Sequence, residues 1–566
     1  MKSLEDKRIR RPAWREALLL FPIACCYAFF IVLGDWQRSV PYSNLQNMGR
    51  LLLWTGIGWS VLLLAGFLLE NGGVLAESVG PMMGRGENAI LPAGVRNVLS
   101  RLFRNGGRRQ GRWWIWLLFS LLCLFCYLPY YLMYYPTWFN NDAIWQMEQA
   151  LGMAAKSNHH PYFHTLIVKF FLTVGNLLFG NLTASVAFYT FFQMTMTASV
   201  FGFLLFLLYR RGTGLFWLFL AFCFYGILPV NCMFSICMGK DAWFTAAFLL
   251  FMWTVSVCGM EEREKGFGAA YGRWVLFAVT GLLVCLLRSN GIFVFLGTSV
   301  FLIVSALWRK HVTRPLTIST LIVLALYFFW QGPVLSALHV EPPDTIESLT
   351  MPTQHLLCAY KRGGSLTAEE IEMLERVVPL ADIGEYYNPY LFDMTKNYIR
   401  EYGHQEVIAE NKGAYARLWL SVGLKNPMLY LEAQIRQTAG YYALHIPHEL
   451  YLYSDYFMVD NPFGIEAERK LFTYDDSLAM GKLLQEFQGL YRRVWSLGAN
   501  TWLLLFALAC ALYRRRRIAV FLPALCLLGS LMLAAPVYHE FRYAYGVFVA
   551  LPVVLANSFG KKECGL

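Results

Sequence analysis

The sequence predicts an all-α protein that crosses the membrane many times, with a mainly helical domain outside it. Three observations predict this. Hydrophobic residues make up 57% of the 566 positions and charged residues only 15%, against about 25% charged in a soluble domain. Apolar runs long enough to cross a bilayer recur along the chain. The basic residues sit beside those runs, and the acidic ones concentrate in a single polar region. Lipid offers no partner to backbone polar groups, so the spanning elements must be helices.

Apolar runs fall at 18–33, 51–69, 113–134, 162–179, 183–208, 215–230, 242–257, 274–287, 292–307, 316–330, 495–513, 518–535 and 543–559. The basic opening "MKSLEDKRIRRPAWRE" is read as leading into an uncleaved first helix with its start in the cytoplasm. If every run crosses, the basic "YRR" at 209–211 and every later basic loop face outward. If 162–179 does not cross, about twelve spans remain and all basic flanks face the cytoplasm, as do both termini. That run carries Lys169 near its middle. An unpaired Lys at the bilayer centre costs about 2.5–3.5 kcal/mol, whereas a helix lying in the interface lets it reach water. The run is therefore expected to be interfacial or re-entrant.

The net charge of +11 does not point to nucleic acid. The basic stretches 105–112, 308–314, 513–517 and 560–562 each abut an apolar run, which is how cytoplasmic loops are marked. Cysteines such as Cys123, Cys126, Cys223, Cys285, Cys510 and Cys526 lie inside apolar runs, where they read as packing residues. Region 331–494 holds 22 of the 37 acidic residues. Within it "SLTAEEIEMLERV" has a capping-box pattern from Thr367 to Glu370, and the stretch from Gly413 to Tyr442 reads as two amphipathic helices broken at "GLKNP". Four regions follow: a two-helix addition at 1–112 with a basic loop, a transmembrane core at 113–333 with its first outer loop at 135–182, an outer domain at 334–494, and closing helices at 495–566.

The first outer loop is rich in ionisable groups: "WFNNDAIWQMEQALGMAAKSNHHPYFH". Asn141 or Asp142 is expected to cap the helix that begins there. With twelve spans, further charged residues at helix ends gather on the same face. They are Lys240 and Asp241 in "GKDAWF", Arg288 and Asn290 in "LLRSNG", and His539, Glu540 and Arg542 in "VYHEFRYAY". Charged groups near lipid depth are functional candidates. Lys240, Arg288 and Arg542 suit the phosphate of an amphiphile at headgroup level, and Asp142 suits a general base. His159, His160 and His164 with Asp142, His539 and Glu540 could instead hold a divalent metal such as Zn or Mn, although their spacing matches no ligand motif.

The order of these features resembles the GT-C superfamily of membrane glycosyltransferases, which use polyprenyl-phosphate-linked sugars and include protein O-mannosyltransferases and aminoarabinose transferases. The resemblance lies in "YYPTWFNNDA", then "NHHPYFHTLIVKFFLTVGNLLFGN", then a span ending "LLFLLYRR", and covers roughly 115–310 and 495–560. It implies a GT-C-like fold and an outward-facing site in a bacterial cell membrane. Asp142 matches the catalytic acid of the first outer loop and His160 with Pro161 matches the His-Pro motif. No paired Asp-Glu stands at 141–142, which departs from the mannosyltransferase pattern. The expected reaction is transfer, with inversion, of a sugar from a polyprenyl-phosphate donor to a hydroxyl of a glycan, lipid or protein acceptor. The alternatives are a flippase or other transporter of lipid-linked glycan, a glycopolymer polymerase or ligase, and a phosphoethanolamine-type transferase.

Overall fold

A computed structural model describes residues 12, 14–37, 44–79, 109–258, 267–310, 313–446, 461–465, 472–533 and 537–559. Among them the elements are helical and no strand is present. Among the described residues nine helices are long and apolar enough to cross a membrane, or up to eleven if two bent pairs each count as one. The chain is a multi-pass membrane protein.

Two helices open the chain, α1 (Trp14–Gln37) and α2 (Asn44–Val79). They pair with each other and lean on the C-terminal helices through Tyr27, Leu62 and Tyr513. Next come α3 (Trp113–Met133), α4 (Asn141–Leu151), α5 (Tyr162–Phe179) and α6 (Leu182–Arg210). The run at 215–230 becomes α7 (Leu215–Phe222), a π turn at Cys223–Ile227 and α8 (Pro229–Ile236), bent by 41°. Pro229 opens α8, where its missing N–H leaves no bond unmade. Then follow α9 (Lys240–Cys258), α10 (Phe267–Leu287), α11 (Gly291–Trp308) and α12 (Arg314–Phe329).

The region expected to form the outer domain contains α13 (Thr350–Lys361), α14 (Ala368–Glu375), α15 (Phe392–Tyr402), α16 (Lys412–Lys425) and α17 (Pro427–Thr438). The capping box of Thr367 and Glu370 forms as expected, and the break between α16 and α17 falls at Asn426–Pro427. The domain has its own core, built on Leu357, Val378, Phe392, Ile399 and Val422. After α18 (Tyr474–Val494) the chain returns to the bundle as α19 (Leu497–Tyr513), α20 (Leu522–Leu533) and α21 (Phe541–Phe559).

The contacts sort the helix ends into two groups. At one end, the Arg109 N–H donates to the Arg210 carbonyl at 2.9 Å. Arg211 reaches Asn557 at 3.4 Å, Arg514 reaches the Ser558 carbonyl at 2.7 Å, and Arg515 pairs with Glu16 at 3.0 Å. At the other end, Asn290 bonds Ser530 at 3.0 Å and Gln434 of α17 donates to the Met532 carbonyl at 2.6 Å. Residues Leu391 and Val537 pair there as an isolated bridge. Gly440 lies so close to the Tyr538 carbonyl that a Cβ would overlap it, so the outer domain presses directly on the Tyr538–His539 turn.

Both ends of α5 lie with the second group. Its first turn touches α6 at Tyr189 through His164, and Gly175 packs against Ser185. The α6 helix runs on from Gln193 to Arg210 at the basic end. One flank of α5 exposes Lys169, Thr173 and Asn176, and the next exposes Phe170, Leu177 and Leu178.

Candidate functional site

The site forms where three helix N-termini meet. Residues 137–140 run alongside 236–238: Thr137 donates to the Ile236 carbonyl at 3.0 Å and the Met238 N–H donates to the Trp138 carbonyl at 3.0 Å. This pairing sets the start of α4 against the start of α9. Asn140 caps α4 by accepting the Ala143 N–H at 2.8 Å, which corrects the expectation that Asn141 or Asp142 does so. Asn140 has the extended backbone that an N-cap requires. Asp142, in the first turn, is thereby left free to point away from its own helix.

Asp142 Oδ2 accepts two charged donors. Lys240 Nζ, on the first residue of α9, lies 2.6 Å away, and an Arg542 terminal nitrogen, on the second residue of α21, lies 2.8 Å away. Lys240 also bonds His160 Nδ1 at 2.9 Å. A lysine ammonium can only donate, so His160 accepts through Nδ1 and carries its proton on Nε2. Burial pushes the Asp142 carboxyl up, but the Lys240 and Arg542 charges beside it outweigh burial and hold the group well below the usual carboxylate range. Burial and then the neighbouring Lys240 charge push His160 down to about 2, so it is a neutral imidazole. His159 is likewise pushed down by burial against the raising effect of Glu347.

A second pair stands behind the first. Arg288 meets Asp241 at 3.1 Å and donates to the Arg542 carbonyl at 3.2 Å. Its guanidinium lies over the rings of Tyr543 at 4.9 Å and Phe244 at 5.4 Å. Arg288 is 7% exposed, so it braces the start of α21. Arg542 is the more open cation and also meets Glu540 at 3.4 Å. His539 stacks on Tyr538 with centroids 3.9 Å apart. Asn290 precedes α11 and ties it to α20 through Ser530.

His164 is turned away from this group. Its ring bonds Gln146 at 2.9 Å and the Tyr189 hydroxyl at 2.8 Å, and Trp243 donates to that hydroxyl at 2.9 Å. Gln193 donates to the Ser235 and Cys237 carbonyls at 3.0 and 2.8 Å, which holds the end of α8 below Lys240. The six-residue metal set that the sequence offered as an alternative does not assemble among the described residues. Among the described residues no group of three or more His, Cys, Asp or Glu side chains could hold a metal ion.

Sequence reasoning missed Gln146, Tyr189, Gln193 and Trp243, polar groups spaced within apolar helices. It also missed Glu347, Lys396 and Arg400 of the outer domain. The Glu347 carboxylate lies 4.0 Å from His159 Nδ1, with Lys396 and Arg400 each 3.1 Å from the same acid.

A profile of one protein family, described as "Family of unknown function (DUF6020)", matches residues 152–563. The chain belongs to that family. The matched stretch holds His160, Lys240, Asp241, Arg288, Asn290, His539, Glu540 and Arg542, whereas Asp142 and helices α1 to α4 precede it. No curated protein and no solved structure matches the chain.

Proposed function

We propose that the protein is a membrane glycosyltransferase of GT-C type. It would move a sugar from a polyprenyl-phosphate donor to an acceptor hydroxyl at the outer face of a bacterial cell membrane. One observation carries this reading: Lys240 and Arg542 converge on a single oxygen of Asp142. They do so where α4, α9 and α21 all begin. Helix N-termini favour anions, and cations stationed there work against helix stability. Such a focus suits a phosphate group.

In the free site Asp142 carries both cations and is a weak base. A donor phosphate entering beside Lys240 and Arg542 draws part of their charge, and the proton affinity of Asp142 rises. The acceptor hydroxyl then attacks the anomeric carbon as its proton passes to Asp142. The glycosyl C–O bond to phosphate breaks, and its electron pair stays on the phosphate beside the two cations. His160, with its proton on Nε2, serves as a neutral donor to the reacting groups. Arg288 and Asp241 position Arg542 by fixing its backbone.

The membrane placement supports the same reading. The alternation of helix ends is kept if α5 lies in the outer interface with Lys169 toward water and Phe170 and Leu177 toward lipid. The other eight long helices, the two bent pairs and the two shorter apolar helices at 272–287 and 519–533 then make the expected twelve crossings. The basic end faces the cytoplasm. A transporter would hold its polar site near the midplane on broken helices, whereas this cluster lies at helix ends. The test is an assay in membranes with labelled polyprenyl-phosphate sugars. Transfer that Asp142→Asn leaves undiminished removes the base, and absence of any transfer with ATP-independent movement of labelled lipid across the bilayer favours the flippase.

A further inference from the structure

The first outer loop meets the outer domain along a polar rim that the donor chemistry does not use. His159 is the link. Its ring touches that of His160 with centroids 4.6 Å apart, and on its other side Glu347 approaches at 4.0 Å. Beyond it Arg400 joins Glu347 at 3.1 Å to Asp344 at 2.6 Å, and Lys396 joins Glu347 to Asp393 at 2.6 Å. These side chains are partly open to solvent, except Lys396, which is buried. Trp145 stands at the edge of the rim. It lies three residues after Asp142 in α4, on the same side of that helix, with its ring centroid 6.3 Å from His159. The indole is 58% exposed.

We propose that this rim is the acceptor subsite and that the acceptor is a neutral sugar, its ring stacked on Trp145 and its hydroxyls held by His159, Glu347 and Arg400. The proposal rests on reading the Asp142 cluster as the site of glycosyl transfer. An exposed aromatic face beside fixed, planar hydrogen-bonding groups is the chemistry that recognises a pyranose, apolar on its ring face and polar at its edge. The charges narrow the class. Three carboxylates, Asp344, Glu347 and Asp393, face two cations, Lys396 and Arg400. Both cations are already taken up by those carboxylates, so the rim offers an anionic sugar no cation of its own, and a neutral sugar needs none. The geometry also sets direction, because a sugar on Trp145 has its hydroxyls beside Asp142, one helical turn away.

The test is saturation-transfer NMR on the full chain in lipid nanodiscs. The probes are methyl glycosides of glucose, mannose and galactose, and of glucuronic acid as the anionic control. The expected result is saturation of ring protons for at least one neutral glycoside and none for the glucuronide. That signal falls about tenfold in Trp145→Ala and also in Glu347→Gln, and Trp145→Phe keeps most of it. The proposal is overturned if no neutral glycoside is saturated, if the signal survives both variants, or if the glucuronide binds as well as the neutral probes. Polyprenyl-phosphate binding measured on the same preparation separates the two readings. Lipid phosphate bound without glycoside removes the acceptor rim and leaves the donor site. Glycoside bound without lipid phosphate does the reverse.

Discussion

The two ends of the helix bundle both carry cations, and they use them differently. At the basic end Arg211 and Arg514 reach helix C-terminal carbonyls at Asn557 and Ser558, where positive charge is favoured. Each of these two arginines meets a separate backbone carbonyl. At the other end Lys240 and Arg542, 98 and 400 residues from Asp142 in the chain, meet on one atom, at helix N-termini where positive charge is disfavoured. The comparison teaches that charge beside a membrane helix has two meanings. One caps the end of a helix, and the other, placed against its helix dipole and converging with a second cation on a single carboxylate oxygen, marks a site.

The comparison is broken most severely by substitutions at the shared atom. Asp142→Asn keeps the shape and removes the charge, and it is expected to lower transfer about 10²- to 10⁴-fold, read as initial rate in membranes. Next in size is the brace behind it. Arg288→Met leaves Asp241 buried without its cation and is expected to cost about 3–5 kcal/mol of stability, measured by thermal unfolding in detergent. Replacing Asp241 by Leu as well should recover most of that loss.

A smaller effect sharpens the comparison through pH. His160 in the folded chain titrates near 2, against about 6.5 when unfolded. Below 6.5 the unfolded chain binds the proton and the folded one refuses it, so stability falls as pH falls. Between pH 7 and 5 this contributes about 2 kcal/mol, and the contribution should vanish in His160→Gln. The depressed Asp142 carboxyl acts in a lower window. Its contribution is fully present above the ordinary carboxylate range and is lost only as pH drops through and below that range. The smallest effect lies away from both ends. Arg376→Ala removes an exposed pair with Glu372 at 2.8 Å and should leave thermal unfolding all but unchanged, with transfer unchanged.

Much of this was legible in the sequence, for a physical reason. Hydrophobic runs and flanking arginines are local signals, so the bundle, the separate helical region after it and the grouping of Asp142, His160, Lys240 and Arg542 at one end could be read from position alone. The capping box at Thr367 was legible for the same reason. What was not legible depends on packing. Arg288 and Arg542 look alike beside their apolar runs, and only the fold sets one behind the other with aromatic rings around it. His164 follows His160 by four residues, one helical turn, yet it turns into the bundle because Tyr189 and Gln146 satisfy it there. Glu347, Lys396 and Arg400 lie in an outer segment whose meeting with His159 no local pattern announces.

The account depends on the end of the bundle that holds Asp142 facing outward, with α5 resting along it and the arginines facing in. Cysteine-accessibility labelling with a membrane-impermeant reagent, applied to intact cells bearing Lys169→Cys or Arg210→Cys, tests this most directly. The account predicts labelling at position 169 from outside and at position 210 only after the membrane is opened. Labelling of position 210 from outside would contradict it.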